Sequence, residues 1–154
     1  MKLTAIIEMP QGSIFKYEIN KKTNRLKLDR PLNQPVPYSY GYIENTLEED
    51  GDPIDLFLLT DAPIYPLTEV YVEIIGVLKC VDNGKSDNKL IAILVNDCNG
   101  YSTMGTAIIK NYLETYKKGF QVVEEGGVEE AIKVYEESVK MYENWLVKVE
   151  TFYV

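Results

Sequence analysis

The sequence contains no histidine. This excludes serine–histidine–aspartate and cysteine–histidine catalysis, zinc sites with imidazole ligands, and phosphohistidine chemistry. Cysteine is nearly absent too. Cys80 and Cys98 are too few for a disulfide framework or a metal cluster, and both read as small buried thiols in a reducing compartment. No apolar run reaches about 18 residues, so no membrane span is expected. Residues 1–10 hold a single lysine and a short apolar run broken by Glu8 and Pro10. That segment reads as a strand rather than a signal peptide, and the cytoplasm is the expected compartment. Positive charge is scarce: 16 Lys and Arg against 24 Asp and Glu leave a net charge of −8 and a pI near 4.6. Such a chain is not expected to bind nucleic acid or anionic membrane. It favours cations, or anions approached through bound cations.

The chain has 154 residues, 45% of them hydrophobic, which fits a single domain (1–154) with a real core. The first two thirds read as strands. Residues 3–9 are apolar, and residues 13–20 pair with 25–29 across a turn at 21–24. The three prolines of 31–37 make an irregular stretch. Residues 40–43, 54–59, 69–79 and 90–95 are further strands, the last being the final one the pattern supports. Residues 82–88 are a polar turn. From Met104 to Lys118, Ile108, Tyr112 and Tyr116 recur at helical spacing. From Val128 a second helix face runs through Ala131, Ile132, Tyr135, Val139, Tyr142 and Leu146. Short strands followed by two helices predict an α+β protein built on a small barrel.

The densest chemical feature is Asp50-Gly51-Asp52-Pro53-Ile54-Asp55. Carboxylates this close repel one another, and a hard divalent cation such as Mg²⁺ relieves the repulsion through oxygen ligands. Taken alone, the motif reads equally well as a solvated acidic turn. An EF-hand loop starting at Asp50 fails, because its fifth and sixth positions hold Ile54 and Asp55. A nucleophilic-aspartate phosphatase also fits badly, since Glu48 and Glu49 stand where an apolar strand is wanted. A second acidic turn holds Asp82 and Asp87, with Lys89 on the same face as Asp87 if that stretch is extended. Lys16 and Glu18 share a strand face in the same way. Arg30, Tyr40, Tyr116 and Lys117 add cations and phenols able to grip phosphate oxygens. Each feature alone has a bland structural explanation, but together they describe metal-dependent phosphoryl transfer.

In order along the chain stand Glu8-Met9-Pro10, Lys16-Tyr17-Glu18, Asp29-Arg30, Tyr40-Gly41-Tyr42-Ile43, Asn45-Thr46-Leu47 leading into the Asp-Gly-Asp-Pro-x-Asp element, Gly76-Val77-Leu78-Lys79 with Asp82, Asp87 and Lys89, and Tyr116-Lys117 on the first helix. Over nearly its whole length the chain resembles the soluble family I inorganic pyrophosphatases. The resemblance implies a five-stranded OB-like barrel with two flanking C-terminal helices. It also implies hydrolysis of pyrophosphate to two phosphates by a metal-activated water, with Mg²⁺ as cofactor and Mn²⁺ as a substitute. By that resemblance Asp50, Asp55 and Asp87 hold the tighter metal, with Asp55 bridging to a second. Asp82 and Asp87 serve a metal that arrives with substrate, and Glu18 helps place a further one. Asp52 is the general base, and Tyr40 bonds among metals, substrate and Asp52. Lys16, Arg30, Lys89, Tyr116 and Lys117 grip the phosphates, and Glu8 supports. The assembly implied is a homo-oligomer, the hexamer being favoured. Departures from the family pattern are Val36 in place of a tyrosine, Asn83 in place of a carboxylate, a shorter 96–104 segment, no Leu-Glu after Lys117, and no intersubunit histidines. Two rival readings are a relative with activity shifted to other polyphosphates and an OB-like binding module. The negative net charge opposes the second.

Overall fold

The computed structural model describes residues 1–97 and 100–153. Cys98 lies outside the described residues. The elements in order are β1 (Lys2–Met9), β2 (Phe15–Asn20), β3 (Arg25–Pro31), β4 (Ser39–Tyr42), β5 (Asp55–Leu58), β6 (Glu69–Asp82), β7 (Lys85–Ser86), β8 (Lys89–Leu94), α1 (Gly105–Glu114), β9 (Phe120–Gly126) and α2 (Val128–Tyr153). Hydrogen bonding runs β1-β4-β5-β8-β6, and β6 pairs back onto β1. Five strands therefore close into a ring, flanked by two helices, in a mixed α+β architecture. The β2–β3 hairpin forms its own two-stranded sheet beside β1.

Both faces of β5, and of β8 through Ala92, are packed. Leu56, Leu58, Leu90, Ala92 and Val77 belong to one apolar cluster, which Ala131 and Val134 of α2 join. The alternate residues Phe57, Ile91 and Leu78 belong to a second cluster, with Ile109, Tyr112 and Leu113 of α1. This explains why β5 and β8 read as continuous apolar runs rather than alternating ones. β5 and β8 are parallel, with Asp55 opposite Lys89, and β4 is antiparallel to β5, with Tyr42 opposite Asp55. Gly41 permits the contact of β1 with β4, because a Cβ there would run into the Ile6 carbonyl.

The structure corrects several sequence readings. β9 was not expected. Its outward residues Val123, Glu124 and Glu125 are exposed, so the apolar alternation that marks a strand is missing, and pairing with β6 supplies the order instead. α1 ends at Glu114, with Thr115 capping it and its hydroxyl bonded to the Tyr112 carbonyl. Tyr116 and Lys117 therefore lie in the turn after the helix, not on it. The buried face of α1 is Ile109, Tyr112 and Leu113, while Ile108 is exposed. In α2 the buried positions are Ala131, Val134 and Ser138, and Val128 is exposed. Cys80 is the buried thiol expected, its pKa pushed up to about 12 by burial. Among the described residues no helix is long and apolar enough to cross a membrane.

Candidate active site

Two loops and one hairpin converge at one end of the ring. The 44–54 loop is closed from within. The Thr46 hydroxyl donates to the Ile43 carbonyl (2.6 Å) and accepts from the Ile54 amide (2.9 Å). The Glu48 amide donates to the Asp52 carbonyl at 2.9 Å, and the Gly51 amide to the Glu48 carbonyl at 3.0 Å. Gly51 takes the left-handed conformation (φ +87°) that this tight turn requires. The Asp50 carboxylate accepts the Asp52 amide at 3.0 Å, an Asx turn that holds both side chains at the loop tip. Asp55 follows as the first residue of β5. Asp82 is the last residue of β6, and Asp87 lies between β7 and β8. Asn83 has φ +50°, and its amide donates to the Asp82 carboxylate at 3.2 Å. The asparagine thus suits the turn and steadies its neighbour. Val36, the other departure, is a packed core residue.

Lys89 is the hub. Its ammonium, on a residue only 4% exposed, donates to Asp55 Oδ2 at 2.7 Å, to the Tyr40 hydroxyl at 2.8 Å and to Asp87 Oδ1 at 3.0 Å. Burial alone would lower its pKa, but Asp55 and Asp87 outweigh that and hold it well above the ordinary value. Burial, then Asp55 and Asp87, push the Tyr40 phenol up. Lys117 pairs with Asp82 at 2.7 Å. Lys16 lies 3.6 Å from Glu18 and 3.7 Å from Asp29. Burial opposes the Lys16 charge, but Tyr116, Glu18 and Asp29 overcome it and raise its pKa. Arg30, opposite Lys16 on the hairpin, donates to the Tyr116 hydroxyl at 3.0 Å. Burial raises Asp50 to about 6, and Asp87, Asp52 and Asp55 add to it. Glu8 is raised to about 7, first by burial and then by Asp55, and it accepts the Ile19 amide at 3.4 Å.

Lys16, Glu18, Tyr40, Asp50, Asp52, Asp55, Asp82, Asp87, Lys89, Tyr116, Lys117 and Glu8 all line a single cleft of about 300 Å³. Of the residues singled out from sequence, Arg30 alone is outside the lining, one hydrogen bond away through Tyr116. Sequence reasoning missed Lys21 and Tyr42, which also face the cleft. Tyr42 was legible as part of Tyr40-Gly41-Tyr42, whereas Lys21 was hidden in an ordinary turn. Glu48 was missed as well. It is buried, raised to about 7 mainly by burial, and its Oε1 has no hydrogen-bond partner among the described residues.

The inorganic pyrophosphatase family model matches residues 5–143. The soluble inorganic pyrophosphatase 2 of Chlamydomonas reinhardtii is 37% identical over 94% of this chain and 83% of its own length. The chain belongs to the soluble family I inorganic pyrophosphatases. The Campylobacter jejuni inorganic pyrophosphatase is 34% identical over 92% of each chain. Among solved structures, the Neisseria gonorrhoeae inorganic pyrophosphatase superposes with a TM-score of 0.85 at 31% identity, covering 92% of this chain and 91% of its own. The Helicobacter pylori enzyme gives 0.83 at 33% identity, with 92% and 94% covered.

Pyrophosphatases of this family are metal-dependent, so the donor set must suit a metal. Its donors are all hard carboxylate oxygens, the kind Mg²⁺ and Mn²⁺ take. Burial first, and then the nearby Asp87, Asp52 and Asp55 carboxylates, push Asp50 up, and among the described residues Glu48 Oε1 is an orphaned buried oxygen. Among the described residues no three carboxylates are drawn onto one point. Instead the Lys89 and Lys117 ammoniums stand against Asp55, Asp87 and Asp82. The residues fit divalent cations by their chemistry.

Proposed function

We propose that this chain hydrolyses inorganic pyrophosphate to two orthophosphates, with Mg²⁺ as the metal and Mn²⁺ as a substitute. Asp50, Asp55, Asp82, Asp87 and Glu18 would hold the ions. When bound, the ions supply positive charge to the phosphate oxygens and make the attacking water more acidic. The observation that carries the reading is the meeting of these carboxylates with Lys16, Lys89, Lys117, Tyr40 and Tyr116 in one cleft. Pyrophosphate offers no carbon framework, so charge and geometry do the recognising. Lys16, Lys89 and Lys117 neutralise its oxygens, and Tyr40 and Tyr116 donate hydrogen bonds to them. Arg30 orients the Tyr116 hydroxyl and adds a further positive charge. Asp52, at the exposed loop tip, takes the proton of the attacking water. The water oxygen bonds to one phosphorus, the bridging P–O bond breaks, and its electron pair leaves on the second phosphate. Glu8 supports the floor of the cleft from β1.

We further assign the ring to the OB-like class of barrels, the protein to the cytoplasm, and its assembly to a homo-oligomer, with a hexamer favoured. Phosphate release from pyrophosphate, with and without Mg²⁺ and beside ATP and tripolyphosphate, tests the function. Mg²⁺-dependent release confined to pyrophosphate supports it. No release from folded protein across several divalent metals overturns it.

A further inference from the structure

A second cleft is larger than the acidic one. It holds about 710 Å³ and lies between the distal half of α2, the 44–53 loop and the turn end of the β2–β3 hairpin. That volume is in the range of small-molecule sites, which pair mostly apolar walls with a few convergent polar groups. Its walls follow that pattern. Tyr142 and Trp145 of α2 stand as a tilted aromatic pair, 5.8 Å between ring centroids at 34°. Past Ser138, none of the described residues of α2 joins either core cluster, so these rings are not needed to close the core. Trp145 remains 48% exposed.

The polar groups are of mainly one sign. Glu44 and Glu69 line the cleft, and Lys21 is the only cation that does. The Lys21 ammonium lies 4.9 Å from the Tyr42 ring centroid, so an aromatic face here already carries a positive charge. The Tyr42 phenol, which also lines the cleft, is pushed up by burial, with Glu8 and Glu44 adding to it. Aromatic faces rimmed by carboxylates are the arrangement that selects organic cations.

We propose that this cleft is a second ligand site, selective for a planar aromatic cation, and that its occupancy acts on the catalytic loop. Tyr42, Lys21, Ile19 and Pro53 line both clefts, and Gly51, between Asp50 and Asp52, lines this one. The Leu47 amide donates to the Ser138 carbonyl at 2.9 Å, which ties the loop to α2. A ligand wedged between Trp145 and the loop therefore touches the element that carries the proposed general base. The effect on activity rests on the function proposed above, whereas the binding itself does not.

Trp145 is the only tryptophan, so its single indole N–H resonance reports on the cleft without hydrolysis being measured. Benzamidine, benzamide and benzoate share a ring and differ in charge. Benzamidine should shift that resonance saturably, benzamide more weakly, and benzoate not at all. The E44Q/E69Q double variant should bind benzamidine at least about threefold more weakly, consistent with the loss of two exposed ion pairs. Saturating benzamidine should also change kcat for pyrophosphate without competing with it. Equal binding of benzoate, or no shift with benzamidine, overturns the site. A resonance that moves with protein concentration but not with benzamidine also overturns it, and would mean that a second copy of the chain covers the cleft. Benzamidine binding with kcat unchanged overturns the coupling alone.

Discussion

Replacing Lys89 with methionine keeps most of the side chain's apolar stem and removes its charge, and the structure sets the scale of the outcome. The ammonium is 2.7 Å from Asp55 and 3.0 Å from Asp87. At an effective dielectric near 20, each contact represents roughly 6 kcal/mol of Coulomb attraction, most of it offset by the cost of burying the charges. Removing one partner of a buried pair costs about 3–5 kcal/mol, because the other is left uncompensated. Asp87 is itself buried, so Lys89→Met should lose about that much. For a chain of this size that corresponds to a fall in Tm of roughly 6–20 °C. The assay is urea and thermal unfolding in EDTA at fixed protein concentration, repeated with Mg²⁺. Divalent ions should restore more stability to the variant than they add to the wild type, since the two carboxylates then lack their resident cation. A loss under about 1 kcal/mol in EDTA, or equal stabilisation of both proteins by Mg²⁺, would refute the argument.

Further outcomes are expected at other positions. Asp52→Asn should lower kcat by roughly 10²–10⁴-fold while leaving Mg²⁺ binding by calorimetry unchanged; wild-type turnover would remove Asp52 as the base. The Glu8 carboxyl is raised from 4.5 to about 7, so the folded state holds its proton more tightly than the unfolded one. Stability in EDTA should therefore fall as pH rises from about 4.5 to 7, by up to about 3 kcal/mol from this group, and Glu8→Gln should flatten the slope. Urea midpoints across that range decide it, and an unchanged slope in the variant counts against Glu8. Gly41→Ala should cost at least about 3 kcal/mol, because the new methyl meets the Ile6 backbone rather than a movable side chain. A wild-type urea midpoint would show that β1 and β4 separate more easily than the packing implies.

The sequence carried most of the site because its residues come in short local motifs. Asp50 to Asp55 is one turn and Asp82 to Lys89 another, and strand alternation alone placed Lys16 beside Glu18. The links between motifs were not legible. Nothing local shows that Asp55 and Lys89 stand opposite each other across a parallel pair, 34 residues apart in the chain. Glu48 resembled any surface glutamate until its burial was visible. β9 was lost for a similar reason, since an exposed strand rich in glutamate takes its order from β6 rather than from its own pattern. On α1 the buried face is displaced by a residue, since Ile108 satisfies the helical period yet faces solvent while Ile109 is buried; on α2 only Val128 departs from the face the period marks.

The closure of the ring has a consequence for the growing chain. β1 is made first, but its partners are β4 and β6, and the circuit is complete only once β8 has been synthesised. Until β6 has left the ribosome, β1 has an unpaired edge, and until β8 follows, β5 lacks the neighbour that neutralises Asp55. The fold therefore cannot accumulate stability strand by strand. Its first half is exposed to edge-to-edge association for as long as synthesis of the second half takes.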